Sequence, residues 1–347
     1  MRCDDSLATI LLVSRLCAEG VRPLKASEYW SMVDVIGAGP PVDAEQGADA
    51  VQGRGDPLGP GALLNKGEDQ LVREHGLSED IAGRIAELAA RATAVAFELE
   101  RLEQSGIRTV TVFDEHYTRQ WLDRLRAKAP PLVHAAGALE LLDAPGLGVV
   151  GSRDVSLEGG EVAKEVARLA ARRGLPLVSG GARGVDQLAM DAAFEAGGAI
   201  VGILAESLSR KLKRPEVRRA VYDGGTVMCT PYSPDAPFSA GNAMGRNKLI
   251  YAQATLTVVV ASDDGTGGTW SGATEALKNG YGTVAVWRGD GEGPGNQILQ
   301  ERGALPVSSL EDIEALLDGR DSPVPEPTTA SANPPEQRSL FATTTPA

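Results

Sequence analysis

Three glycine-rich turns carry the residues best suited to hold an anion, and each follows an apolar run. Leu147-Gly148-Val149-Val150 leads into Gly151-Ser152-Arg153. Leu177-Val178 leads into Ser179-Gly180-Gly181-Ala182-Arg183-Gly184-Val185-Asp186. Thr257-Val258-Val259-Val260 leads towards Gly265-Thr266-Gly267-Gly268-Thr269. Glycine lets a ligand approach main-chain N–H groups. A helix that starts at such a turn presents partial positive charge to an anion. Two of the turns add an arginine, whose planar fork suits phosphate oxygens. The expected ligand group is a phosphate.

Each turn also has a plainer reading. Gly151, Ser152 and Arg153 form either a phosphate site or a turn whose arginine pairs with a surface carboxylate. Ser179, Gly180, Gly181 and Arg183 are expected at the phosphate, with Asp186 structuring the loop by fixing Arg183 or the backbone. This segment matches neither the Walker A pattern nor G-x-G-x-x-G. Arg246-Asn247-Lys248 is expected to begin a helix, as a clamp of two cations around an amide or as a solvated face. Gly267, Gly268 and Thr269 stand at the carboxyl end of a buried strand, where open α/β sheets bind ligands. Trp270 is read as a core residue, with stacking on a base as the alternative. Arg210, Lys211, Lys213, Arg214, Arg218 and Arg219 make the densest basic run, either a funnel for a phosphodiester strand or a solvated surface.

No Ser/His/Asp order, metal-ligand spacing or catalytic-cysteine context accompanies these turns, so no catalytic residue, metal or cofactor is assigned. Asp186, Asp263, Asp264 and Glu275 are the carboxylates near the loops. Cys3, Cys17 and Cys229 form no disulfide pattern.

The elements that must position these groups alternate strand, turn and helix from about Leu132 to Leu317, with continuous Val/Ile/Leu runs that fit strands buried on both faces. The fold expected is a Rossmann-like, doubly wound, mostly parallel α/β sheet. Ahead of it, helices are expected over Leu7–Cys17, after Ser27, over Glu79–Leu102 with Ser78 as cap, and over Tyr117–Leu125, with a strand at Thr109–Val112. The chain thus divides into a helical accessory domain at 1–104 with a Gly/Pro-rich loop near 37–61, the Rossmann-like domain at 105–318, and a disordered tail at 319–347 rich in Pro, Thr, Ser and Ala. The net charge of −13 argues against a protein that coats nucleic acid with its whole surface. Residues 150–250 nevertheless carry 14 Lys/Arg against 11 Asp/Glu, so nucleic-acid contact would use a focused patch. No signal-peptide profile or membrane-length apolar run is seen, and the cytoplasm is the expected compartment.

At these loops the chain resembles the DprA family of DNA-processing proteins of natural transformation. The resemblance runs from Gly106-Ile107 through Tyr117, Pro130-Pro131-Leu132 and Gly137. It continues through Val150-Gly151-Ser152-Arg153, Ser179 to Asp186, Arg246-Asn247-Lys248-Leu249-Ile250, Ser271 to Ala276, Gly295-Asn296 and Gly303-Ala304. It implies a non-enzymatic, homodimeric protein that binds single-stranded DNA in a basic pocket, protects incoming DNA and assists loading of a RecA-type recombinase. Arg153, Arg183, Arg246 and Lys248 match the family's basic positions. The chain departs from the family with Ala189-Met190 where alanine-histidine is usual and Gly272 where threonine is common, and its tail shows no winged-helix domain. A competing expectation is a nucleotide-binding sensor, in a phage-defence setting, or a nucleotide hydrolase akin to the LOG phosphoribohydrolases. Against hydrolysis, Glu275 stands at the wrong distance from Gly267-Gly268-Thr269. In the tail, Gln337-Arg338-Ser339-Leu340-Phe341 resembles the short peptide that binds the bacterial sliding clamp.

Overall fold

The structure, a computed structural model, describes residues 3–38 and 58–320. The core of the expected Gly/Pro loop, the tail from residue 321 and the Gln337–Phe341 motif lie outside the described residues.

Among the described residues the chain opens with five α-helices: α1 (Asp4–Val13), α2 (Ala26–Ala38), α3 (Glu68–His75), α4 (Glu79–Ala89) and α5 (Ala92–Gln104). Ser78 caps α4 by accepting from the Ile81 N–H. The single helix expected over Glu79–Leu102 is in fact two, broken at Ala90-Arg91. A tertiary contact fixes the break: the Arg91 guanidinium turns back to donate to the carbonyl oxygens of Leu11 and Leu16 at the end of α1. Helical periodicity is continuous through the break, so only the packing shows it.

From Arg108 the chain builds a nine-stranded sheet: β1 (Arg108–Thr111), β2 (Leu132–Gly137), β3 (Gly146–Val150), β4 (Leu177–Ser179), β5 (Ile200–Ile203), β6 (Thr226–Thr230), β7 (Ala254–Val259), β8 (Thr283–Trp287) and β9 (Leu305–Val307). Their order is β1-β2-β6-β5-β4-β3-β7-β8-β9. β1 and β2 run antiparallel, and β2 meets β6 antiparallel; every other pairing is parallel. The helices between and after the strands are α6 (Arg119–Leu125), α7 (Leu157–Arg172), α8 (Val185–Glu195), α9 (Leu208–Lys211), α10 (Pro215–Tyr222), α11 (Ala240–Gln253), α12 (Gly267–Asn279), α13 (Asn296–Glu301) and α14 (Leu310–Leu317). The Rossmann-like, mostly parallel fold expected from the sequence is the one observed.

The inner strands β3 to β7 are buried on both faces, which explains their apolar runs. On one face Leu147, Val149 and Val258 pack with Val166 and Ala170 of α7 and Ala189 of α8. On the other, Val150, Val178 and Val259 pack with Leu249 and Ile250 of α11 and Ala273 and Ala276 of α12. Among the described residues no helix is long and apolar enough to cross a membrane.

Two features of this topology position the site. β3 pairs with β4 on one side and β7 on the other, so successive connections diverge there and open a crevice at the strands' carboxyl ends. α11 begins at Ala240, where the Ser239 hydroxyl accepts from the Asn242 N–H at 3.0 Å. Arg246-Asn247-Lys248 therefore sits in the middle of a helix and does not begin one, contrary to the expectation from sequence.

Candidate functional site

The crevice is a cleft of about 550 Å³, lined by the turns that follow β3, β4 and β7 and by one side of α11. Its floor holds two buried, oppositely charged side chains, Arg246 and Asp186, each hydrogen-bonded to the backbone at Gly180. Arg246, 4% exposed, extends from α11 beneath the β4–α8 turn, and its Nη2 donates to the Gly180 carbonyl at 3.1 Å. Asp186, in the first turn of α8, accepts from the Gly180 N–H at 3.2 Å, and the backbone at Ala182 and Gly151 also favours its charged form. Burial is the largest influence on both groups. It raises the Asp186 carboxyl and lowers the Arg246 guanidinium from their ordinary values, and each partner opposes the other's shift. Gly180 is glycine because a Cβ there would overlap the Arg246 guanidinium. Gly184, at φ +86°, sits against the carbonyl oxygens of Ser152 and Arg153 and leaves a side chain no room. The Nε of Arg246 and the hydroxyl of Tyr251 are buried at this floor without a hydrogen-bond partner.

The rim is assembled from three loops tied to one another. Thr269 Oγ1 donates to the Gly151 carbonyl and Asn247 Nδ2 to the Gly268 carbonyl, both at 2.9 Å. The Ser152 N–H donates to the Ala261 carbonyl at 2.8 Å, and the Ser152 hydroxyl accepts from the Asp154 N–H at 3.2 Å. Thr266, the N-cap of α12, makes no side-chain cap to the first-turn N–H groups, and the first-turn residues Gly267, Gly268 and Thr269 line the cleft. Across from them the exposed Arg153 lays its guanidinium over the Phe238 ring, 5.2 Å from its centroid. Phe238 and Met244 are 52% and 51% exposed, an apolar ledge beside a polar cradle.

A family model for DNA recombination-mediator protein A matches residues 108–318, more than half of the chain and all of this cleft. The chain belongs to this family, the DprA family. DprA of Bacillus subtilis is 25% identical over 233 residues, covering 66% of this chain and 77% of its own. DprA of Streptococcus pneumoniae is 29% identical over 190 residues, covering 54% and 67%. Protein Smf of Escherichia coli is 28% identical over 218 residues, covering 61% and 57%. The solved structure of the S. pneumoniae DprA aligns with a TM-score of 0.55 at 24% identity, over 68% of this chain and 84% of that one. A DNA processing protein A from Helicobacter pylori, described for its single-stranded DNA binding mode, aligns with a TM-score of 0.51 at 22% identity, over 62% and 99%. At these identities the two structures establish the fold.

In this DprA-family cleft the sequence-predicted residues divide. Gly151, Ser152, Arg153, Asp186, Arg246, Asn247, Gly267, Gly268 and Thr269 line it. Ser179 is buried beneath it and donates to the Val149 carbonyl at 2.8 Å, while Gly181 is a buried turn residue at φ +64°. Arg183 does not line the cleft itself but is ion-paired at 2.7 Å with the exposed Asp154, which does. Lys248 faces away across α11 and lines a second pocket. Helix geometry separates the predicted clamp: consecutive residues project about 100° apart, so Arg246, Asn247 and Lys248 point to the floor, the rim and the far flank. The basic run also stands outside the cleft, with Lys211 buried against Glu206 at 3.0 Å and Arg219 paired with Asp223 at 3.7 Å. Asp263 lines the cleft, whereas Glu275 on α12 is turned to Tyr281 and Lys128, at 3.1 and 3.6 Å. Phe238 and Met244 escaped the sequence reading. The available signal was a large apolar residue amid the polar, proline-rich connection from Pro231 to Ser239.

Proposed function

We propose that this chain binds single-stranded DNA in the cleft and acts in DNA uptake and recombination, protecting incoming DNA and assisting a RecA-type recombinase as a cytoplasmic homodimer. On this reading residues 105–318 are the DNA-binding domain and residues 1–104 an accessory helical one. The observation that carries the reading is the pairing, across one cleft, of the exposed Arg153–Phe238 stack with the uncapped N-terminus of α12. The first offers a base an aromatic face and a phosphate a guanidinium; the second offers main-chain N–H donors to an anion. The names of the relatives, DNA processing proteins, and the DNA-binding description of the H. pylori protein support the same reading. Hydrolysis of nucleotides is disfavoured, because Glu275 is held away from the cleft by Tyr281 and Lys128. The test is fluorescence titration with single-stranded DNA, duplex DNA and nucleoside monophosphates side by side at two ionic strengths. Preference for the single strand, weakening steeply with salt, is expected. Release of free base from the monophosphates, or equal affinity for duplex, contradicts it.

A further inference from the structure

On the other flank of α11 lies a second pocket, of about 300 Å³, where the N-terminal helical segment meets the sheet. Its lining includes four cations, Arg15, Lys25, Lys128 and Lys248, and no Asp or Glu, in a chain whose net charge is −13. Ser14, only 2% exposed, lines it with a buried hydroxyl that has no hydrogen-bond partner. Lys248 is partly buried there: burial lowers its pKa, and the charge of Lys128 adds to that against the opposing pull of Glu275. A partly buried ammonium such as that of Lys248 gains from an arriving anion, while the Lys128 ammonium stands exposed at the pocket's edge, beside Tyr281 and Glu275.

The topology puts this pocket on the same edge of the sheet as the first cleft. β2 is antiparallel to β6, with His134 opposite Thr230, so the start of β2 at Pro131-Leu132 lies beside the carboxyl end of β6. Only α11 separates the two sites. Met244 and Asn247 face the first cleft, while Gly245 and Lys248 face the second. Gly241 and Gly245 are exposed on this stretch of α11, and the Tyr232 side chain lies against Gly245, its hydroxyl donating to the Asn242 carbonyl at 2.8 Å. A helix is about 10–12 Å across with its side chains, a span of a few nucleotides.

We propose that the pocket of Arg15, Lys25, Lys128 and Lys248 is a second phosphodiester site, and that a single strand seated in the first cleft crosses α11 into it. The proposal rests on the single-stranded DNA reading of that cleft. The helical segment thereby joins in binding, because Arg15 and Lys25 extend the footprint of the bound strand.

The test is anisotropy titration of labelled oligothymidines of about 6 and about 20 nucleotides, lengths that bracket common single-strand site sizes. Wild type, the double variant Arg15→Ala/Lys25→Ala and Arg153→Ala are compared, with thermal melting to confirm folding. Arg15 and Lys25 are both exposed, so the double variant should melt as wild type does. It should bind the short oligomer as wild type does and the long one about tenfold more weakly. Its log–log salt slope on the long oligomer should be shallower by about 1.4, the loss of two phosphate contacts. No loss at either length, or equal loss at both, overturns the proposal. Thymidine monophosphate serves as the free-anion arm. If the double variant loses it while keeping the wild-type dependence on length, the pocket takes a free anion and the strand path is wrong. If Arg153→Ala changes neither length, the reading of the first cleft itself fails, and the crossing path with it.

Discussion

Arg246 and Arg153 line the same cleft and do opposite work. Arg246 is 4% exposed, hydrogen-bonded to Gly180 and faced by Asp186, so its charge is spent on holding the β4–α8 turn to α11. Arg153 is exposed, and its guanidinium stacks on the Phe238 ring. The difference teaches that a basic motif does not by itself tell which cation meets the ligand. Burial decides: a desolvated guanidinium with a carboxylate partner is structural, while a solvated one stacked on an aromatic ring is available.

The comparison can be broken by substitution. The largest effect is expected at the floor. Arg246→Ala leaves Asp186 buried without its counter-charge and should lower stability by about 3–5 kcal/mol, read as a fall in urea midpoint, with DNA binding lost alongside the fold. At the rim, Arg153→Ala should leave the melting temperature unchanged and weaken single-stranded DNA binding by about 1.5–3 kcal/mol, the range for hydrogen bonds to charged groups. Phe238→Ala should also spare stability and cost about 1–3 kcal/mol of binding, the range for one stacked base. It should leave the salt slope unchanged, since no charge is removed, which separates the two members of the stack. The smallest effect is expected at Arg183→Ala. That residue stands outside the cleft in an exposed pair with Asp154, and both melting and affinity should stay at wild-type values. A large loss of affinity at Arg183 would mean that the DNA-binding rim extends beyond the cleft.

The sheet was legible because glycine turns punctuate unbroken apolar runs, and a strand buried on both faces has no other way to look. The same turns marked the cleft, since strand carboxyl ends gather there whenever connections diverge about a central strand. The roles of individual residues were not legible. Ser179 was expected at the ligand, but the short β4 ends on it and its hydroxyl is consumed by Val149. Arg246, Asn247 and Lys248 read as one motif, yet their directions depend on where α11 starts. That start is set by Ser239, seven residues earlier. Phe238 lies in an irregular connection where no periodicity assigns a side chain to a face. The break at Ala90-Arg91 depends on the carbonyl oxygens of Leu11 and Leu16, which are remote in sequence.

The claim that Arg153 meets the bound strand is tested most directly by titrating single-stranded DNA against wild type and Arg153→Ala at two salt concentrations, both proteins first shown to melt alike. Weaker binding by the variant is predicted, with a log–log salt slope shallower by about 0.7, one phosphate contact on a single strand. Identical affinity and identical slope would contradict it.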